Sequence, residues 1–534
     1  MSSALDRGSP VTGRRMTTWL SPAVARQSLG TTGVRESASK DPLLVGLVAL
    51  VVYGLHGYDG VLDRDLGVFS YGGMLVAHGT APYVGNFNSV GPLADAVPGL
   101  AMWLGGFVGV DPILSARLFF TVLSALCCSL LCVLARDTLG SRAAGLLAPA
   151  VFLTFQGFIN LASDGPREKT TMVVFLLGCL ILLGRRRWAL AGACAALATL
   201  SWQPVFAVAL AALAAAALLD QQATRRRIVL RFTVGGLVPS LATVVYFLGA
   251  GALSQAIGGF ILINVEDTQQ PSLLTRPRQI VAKEWSAYHW TLLLAVVGLV
   301  ALTVLGARAI PFARRPTVSP TARRLVVCAA GGLVGTGWTV LVVNGGPDLF
   351  VLLPFAALGV TGTVVPAMGR LPRRAAVAGV AAVAALGVVA AGVESVATRN
   401  DDLVLQRADV AAVLGTEPGD ATVVDLSAPQ VLALSGRRSP TPYQLMTRTQ
   451  ERYLAATYPG GMTGFLRTLE DARPTFVAVG VSAHASWADA WLRTDYWRVG
   501  GNDGWRWYLA RSAGADAQFR ARVAHDEVMA TDGR

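Results

Sequence analysis

The chain has 534 residues, of which 53% are hydrophobic and only 15% charged, and its mean hydropathy of +0.51 excludes an ordinary soluble globular protein in favour of a polytopic membrane protein. A net charge of +12 does not imply nucleic acid, because the basic residues fall in short clusters between apolar segments, where they act as orientation signals. The six cysteines (Cys127, Cys128, Cys132, Cys179, Cys194, Cys328) lie inside apolar segments without CxxC spacing, which argues for small buried residues and against a zinc site or a disulfide framework.

The first forty or so residues are rich in Ser, Thr and Arg and lack an apolar core of signal-peptide type. Residues 1–42 are therefore expected to form a disordered cytoplasmic tail, with Arg14, Arg15, Arg26, Arg35 and Lys40 ahead of an uncleaved first span. Basic clusters recur at Arg136 and Arg142, Arg185–Arg187, Arg225–Arg227 with Arg231, Arg308–Arg324 and Arg370–Arg374, each beside the end of an apolar run. Placing them all inside gives one topology. Its spans run over 43–62, 113–135, 143–161, 170–184, 188–201, 204–219, 228–250, 290–309, 325–343, 349–368 and 375–395. The fold class is thus mainly α, a transmembrane helical bundle of about eleven spans. Residues 93–110 are read as a juxtamembrane or re-entrant segment, because counting them as a span would turn three of the basic clusters outward.

Polar patches remain on the outer face: Asp63–Pro92 (within an outer loop 63–112), Ser163–Lys169, the Trp202-Gln203-Pro204 turn, the 251–289 loop with Glu266, Asp267, Arg276, Arg278, Lys283 and Glu284, and a small turn at Asn344–Asp348. Nearly every acid close to a span lies in them, so the site is expected on the outer side. Charges kept at a membrane edge are functional candidates by default. After residue 396 charged residues return, and runs at Thr422–Leu426, Thr475–Gly480 and Trp505–Ala510 alternate with amphipathic stretches near 403–415, 463–472 and 484–492. This reads as an extracytoplasmic α/β domain over 396–512, followed by a polar, disordered tail over 513–534. Its aromatics, among them Trp491, Tyr496, Trp505 and Trp507, suit either sugar stacking or a core.

The run Asp65-Leu66-Gly67-Val68-Phe69, with Tyr71, Gly72, Gly79, Pro82-Tyr83, an Asn-rich turn and Gly91-Pro92, resembles the first outer loop of the GT-C membrane glycosyltransferases. The likeness is greatest to the branch holding the dolichyl-phosphate-mannose protein mannosyltransferases and the lipid A aminoarabinose transferases. It extends to Gly165-Pro166-Arg167-Glu168, the Trp-Gln-Pro turn and the C-terminal domain. The resemblance implies transfer of a sugar from a polyprenyl-phosphate carrier to an acceptor hydroxyl, with inversion at the anomeric carbon. The implied partners are that lipid-linked donor, a glycan, glycolipid or protein acceptor in the cell envelope, and membrane lipid; the implied location is the plasma membrane. No cofactor is expected, and a divalent metal has no support in the sequence.

Such a displacement needs a carboxylate to take the acceptor proton and a cationic site for the departing phosphate. Asp65 aligns with the family's acidic residue and is the expected base. At a low-dielectric edge its pKa would rise unless neighbouring cations oppose this. Arg64, Arg167 and Lys169 are the expected phosphate-binding cations, and Asp63, Tyr71, Asn86, Asn88, Asp164, Glu168 and Gln203 complete the candidate substrate contacts. The chain departs from the family where relatives carry a second acid after Pro-Tyr, having Gly85, Asn86 and Asn88 there, and Val90 where a lysine is common. Asp164 or Glu168 are the candidates to replace that acid. Asp348-Leu349-Phe350 stands where relatives have a basic residue and Tyr. Plainer roles compete at each position. Asp63–Asp65 would cap a helix, Arg167–Lys169 would be an interfacial charge cluster, Asp348 would cap a turn, and His56 and His78 would be packed or solvated. A transporter for lipid-linked sugars is the main rival function, but no internal repeat or mid-span acid supports it; a non-catalytic envelope assembly protein is the third reading.

Overall fold

The computed structural model describes residues 33–531 apart from 163, 267–275, 311–317, 343–344, 418 and 420. Ser163, Asp267, Asn344 and most of the N-terminal tail lie outside the described residues. In chain order the helices are α1 (Gly33–Gly54), α2 (Arg64–Ala77), α3 (Leu93–Gly106), α4 (Pro112–Leu139), α5 (Arg142–Leu153), α6 (Gln156–Ala162), α7 (Glu168–Gly184), α8 (Trp188–Ser201), α9 (Val205–Leu219) and α10 (Arg225–Gly249). There follow α11 (Leu253–Ile257), a π-helical turn (Gly258–Leu262), α12 (Ile263–Glu266), α13 (Arg276–Tyr288), α14 (Trp290–Ala309), α15 (Pro320–Val342), α16 (Leu353–Met368) and α17 (Arg373–Ala397).

Every expected span corresponds to helix, but not all to full-length helix. Among the described residues five helices are long and apolar enough to cross a membrane: α4, α10, α14, α15 and the one beginning at Arg373. Five others, α5, α7, α8, α9 and α16, run 12 to 17 residues, roughly 18–26 Å at 1.5 Å per residue, short of a ~30 Å hydrocarbon core. The stretch expected as one span over 143–161 breaks at Thr154–Phe155 between α5 and α6. The segment expected to be juxtamembrane is α3, 14 residues long, which exposes Trp103, Leu104, Phe107 and Val108 at and just beyond its C-terminal end.

The bundle core gathers α4, α7, α9 and α16 around fully buried Leu131, Leu177, Val208 and Phe355. Small residues set the closest approaches: Gly192 of α8 lies on the Phe232 carbonyl of α10, and Gly235 of α10 on that of Ala189, so a side chain at either glycine would part the helices. All six cysteines are free thiols, five of them buried. Helix ends follow local chemistry. Asp111 caps α4 by accepting from Leu114 N at 3.0 Å, Pro112 occupies the first turn, and left-handed Gly140 ends the helix.

Beyond the bundle lie α18 (Asp402–Leu414), β1 (Val423–Leu426), α19 (Pro429–Ser435), α20 (Arg448–Thr457), α21 (Gly461–Ala472), β2 (Phe476–Gly480), α22 (Asp489–Asp495), β3 (Tyr496–Gly501), β4 (Trp505–Ala510) and α23 (Ala515–Thr531). The sheet order is β1-β2-β4-β3, with β1 and β2 parallel and the other pairs antiparallel. Alternate residues feed two cores, Val423 to one face and Val424 to the other. Trp491, Tyr496, Trp505 and Trp507 are buried, so the core role holds for them. Two corrections arise here. The sequence reading has no strand at Tyr496–Gly501, which pairs with β4, and most of the expected disordered tail is α23, which buries Ala517, Ala521 and His525. His525 Nδ1 lies 2.6 Å from Asp409 Oδ1 while its Nε2 accepts from Gly501 N at 3.0 Å, so a hydrogen-bonded pair locks the helix onto the sheet.

Candidate active site

Asp63 begins the site as the N-cap of α2, its Oδ1 accepting from Leu66 N at 2.7 Å, so the capping role holds for Asp63. Its Oδ2 accepts from Arg167 Nη2 at 2.5 Å. Asp65, in the first turn, is not a cap: its Oδ1 accepts from Arg64 Nε and Nη2 at 3.1 and 3.0 Å, and its Oδ2 stands 3.7 Å from Arg167 Nη1. Arg167 is 5% exposed in its side chain whereas Asp65 is 46% exposed. A buried guanidinium thus lies under a carboxylate that faces outward. Crowding alone would raise the Asp65 pKa, but Arg167, Arg64 and Lys169 outweigh it and hold the carboxyl below its usual range. Burial is the largest single effect on this carboxyl, and the cations together overcome it.

Lys169 continues the cluster from the first turn of α7. Its Nζ lies 2.5 Å from Glu168 Oε1 and 3.2 Å from Asp348 Oδ1, and 5.6 Å above the Trp202 ring. The 164–169 turn, the 345–348 turn, the Trp202 turn and the start of α2 therefore meet. Glu284 of α13 is almost fully buried with neither carboxylate oxygen hydrogen-bonded among the described residues. Burial first, then the nearby Asp348, pushes its pKa up to about 7.

Other expected contacts point inward. Tyr71 is 1% exposed and its hydroxyl accepts from Ser439 N of the C-terminal domain at 3.0 Å; burial drives its pKa up to about 12. Asn86 and Asn88 are buried and donate from Nδ2 to Asp95 Oδ1 and Oδ2, both at 3.1 Å. Asp164 Oδ1 lies 2.9 Å from His56 Nε2, which places His56 among the packed histidines, and Glu168 is taken up by Lys169. Each of these five directs at least one polar atom to a partner within the protein. Gln203 donates from Nε2 to the carbonyls of Ser89 and Phe260 at 3.0 and 3.1 Å, a brace between loops.

Sequence reasoning missed two residues and did not single out a third. Asp95 sits in an apolar-looking run, and its hydrogen bonds come only from amides. Arg117, fully buried on α4, donates to the carbonyls of Tyr58 and Gly60 at 2.6 and 2.8 Å and so fixes the turn that leads into α2. Glu284 was one charge among several in a loop. Only a pairing of distant segments would have marked Arg117.

A cavity of about 510 Å³, almost wholly apolar, opens between α8, α9, α10 and the π-helical turn. Tyr83, Pro92, Leu200, Phe232, Phe247 and Phe260 are on its wall. Leu200, on its wall, lies two residues before Trp202 in the chain. Among the described residues no group of three or more His, Cys, Asp or Glu could hold a metal.

No protein-family profile and no curated protein matches this sequence. The structure does align with the crystal structure of ArnT from Cupriavidus metallidurans bound to undecaprenyl phosphate, with a TM-score of 0.60 and 12% identity, covering 91% of this chain and 99% of that one. The chain has the ArnT fold. The apo state of ArnT aligns equally, with a TM-score of 0.59, 11% identity and coverage of 89% and 98%. The Archaeoglobus fulgidus oligosaccharyltransferase, crystallised with zinc and sulfate, has a TM-score of 0.47 and 11% identity over 87% of this chain and 73% of its own. ArnT is a GT-C protein, of the superfamily whose first outer loop this sequence resembles. The match to ArnT extends beyond the bundle into the C-terminal domain.

Proposed function

We propose that this protein transfers a sugar from a polyprenyl-phosphate carrier to a hydroxyl of an envelope glycan, glycolipid or protein, on the outer face of the plasma membrane. The observation that carries the reading is Asp65: a half-exposed carboxylate on the first turn of α2, backed by buried Arg167, in a chain with the ArnT fold. ArnT has been crystallised with undecaprenyl phosphate, and the apolar cavity between α8, α9 and α10 suits the isoprenoid chain of such a donor.

In this reading the acceptor O–H loses its proton to Asp65, the acceptor oxygen bonds the anomeric carbon, and the carbon–oxygen bond to phosphate breaks with its electron pair leaving on the lipid phosphate. Arg64, the most exposed cation of the cluster, meets the phosphate first, with Arg167 and Lys169 behind it. A phosphate that draws these cations away from Asp65 restores the basicity they suppress, so donor binding activates the base. The C-terminal domain then lies outside the cell and the N-terminus within.

The test is transfer from a panel of radiolabelled polyprenyl-phosphate sugars into envelope fractions, comparing wild-type membranes with Asp65→Asn membranes at matched protein level. Loss of transfer in the variant is expected. Equal transfer by both removes Asp65 as the base, and no transfer by either with any donor overturns the transferase reading.

A further inference from the structure

The loop 83–92 joins several elements that border the candidate site. Tyr83, held at φ +69°, donates from its hydroxyl to Val90 O at 2.6 Å and lines the apolar cavity together with Pro92. Phe87 N donates to Pro442 O of the C-terminal domain at 2.6 Å, and its ring stacks on Tyr453 of α20 with centroids 5.2 Å apart. Ser89 O accepts from Gln203 Nε2 at 3.0 Å and from Asn264 Nδ2 at 2.9 Å. Gly91 N donates to Ser201 O at the end of α8. The loop is therefore one wall shared by the cavity, the α8–α9 turn and the C-terminal domain.

What joins this wall to the helix of the base is Asp95, in the first turn of α3. Its two oxygens each accept from one loop amide, Asn86 and Asn88. Asn86 Nδ2 is shared with Val68 O of α2 at 3.0 Å, and Asn88 Oδ1 accepts from Val90 N at 3.1 Å. The carboxylate and the Asn86 amide lie directly over Gly72 of α2, where any Cβ would collide with both. Asp95 is 1% exposed and has no cationic hydrogen-bond or ion-pair partner among the described residues. A carboxyl group sealed from solvent and touched only by neutral donors is costly to keep, so it is maintained for what it holds in place.

We infer that Asp95 is a positioning residue that fixes loop 83–92 between the Asp65 helix and the apolar cavity, so that a polyprenyl-phosphate donor seated in the cavity presents its phosphate to the Arg64–Arg167–Lys169 cluster. This rests on the transferase reading. It predicts that the network, not the carboxylate alone, carries the effect, and the pattern of donors allows a rescue. In Asp95→Asn the new amide turns a donor toward the Asn86 or Asn88 donors and breaks one bond. In the double variant Asp95→Asn/Asn88→Asp, the amide introduced at position 95 accepts from Asn86 and donates to the carboxylate introduced at position 88. The other oxygen of that carboxylate still accepts from Val90 N, so every bond of the network returns with the charge moved across it.

The experiment uses full-length protein in detergent, with fluorescent undecaprenyl phosphate as binding probe and single-turnover transfer as a second readout. Asp95→Asn is expected to weaken probe binding at least tenfold and to raise the donor KM by a similar factor, with the single-turnover rate at saturating donor changed less than threefold. The double variant should recover most of the binding. Gly72→Ala, which forces the same carboxylate off α2, should copy the single variant. Unchanged binding in Asp95→Asn, or equal losses in the single and double variants, overturns the inference. Wild-type protein that fails to bind the probe at all would instead count against the transferase reading.

Discussion

Asp65 and Asp95 occupy the first turns of neighbouring helices, α2 and α3, and the protein keeps each by opposite means. Asp65 is surrounded by Arg64, Arg167 and Lys169, stays nearly half exposed, and is held below the usual carboxylate pKa. Asp95 is sealed, touched by two amides, and pushed by burial up to about 8 despite them. Cations let a carboxylate remain charged where solvent and ligand can reach it, and they can be drawn off by a phosphate. Amides cannot be drawn off, so the Asp95 arrangement is suited to geometry and the Asp65 arrangement to chemistry. If this division is right, breaking one should spoil rate and breaking the other should spoil placement.

The largest effect is expected at the base. Asp65→Asn should lower the single-turnover transfer rate roughly a hundredfold or more, while probe binding and thermal midpoint stay close to wild type, because Arg167 keeps Asp63 as its partner. A variant that loses binding along with rate would erase the contrast with Asp95.

Next comes the cation under the base. Since Arg167 holds the Asp65 pKa down, Arg167→Gln should let it rise. A base works only when ionised, so activity falls as pH drops through its pKa, and raising that pKa moves the acid limb of the kcat/KM profile to higher pH. An acid limb that stays in place in this variant would mean that Arg167 does not govern the ionisation of Asp65.

The third contrast is in stability. Asp95 has a folded pKa raised above its unfolded value, so the folded state holds the proton more tightly. Its stabilising contribution is complete below the unfolded pKa, near 4, and is lost as pH rises through about 8. Wild-type protein should therefore lose thermal stability between about pH 5 and 9 more steeply than Asp95→Asn, which has no proton to release. Parallel curves from scanning calorimetry or dye-monitored melting would refute the raised pKa.

The two acids were not equally legible in the sequence. Hydropathy and basic clusters located the helices expected as spans, because apolar burial and loop charge are local signals. Asp65 was legible from its motif, and so was its proximity to Arg167, since both lay in outer patches. Asp95 was not, because LADAVPG reads as an apolar run and its partners Asn86 and Asn88 look like free polar groups of a turn. Tyr71 misled for a related reason: its partner is the main-chain amide of Ser439, in another domain. Strand β3 escaped because its end, Val499-Gly500-Gly501, carries two glycines and a register shift against β4, and α23 because its contribution to the core is small residues and one histidine.

The smallest expected change sharpens the comparison from its exposed side. Arg64 and Asp65 are 33% and 46% exposed, and an ion pair so open to solvent contributes about 0–1 kcal/mol. Arg64→Gln should therefore leave the thermal midpoint nearly unchanged, yet it removes the outermost cation from the path of a donor phosphate. A few-fold rise in donor KM is expected at low salt, and the gap from wild type should close as salt is added, because salt screens exposed charges far more than buried ones. The same titration on Asp95→Asn should show no such convergence: its loss is one of geometry in a sealed pocket, which added ions do not reach. A salt response shared by both variants would mean that the two carboxylates act through one electrostatic field, and the separation of chemistry from placement would fail.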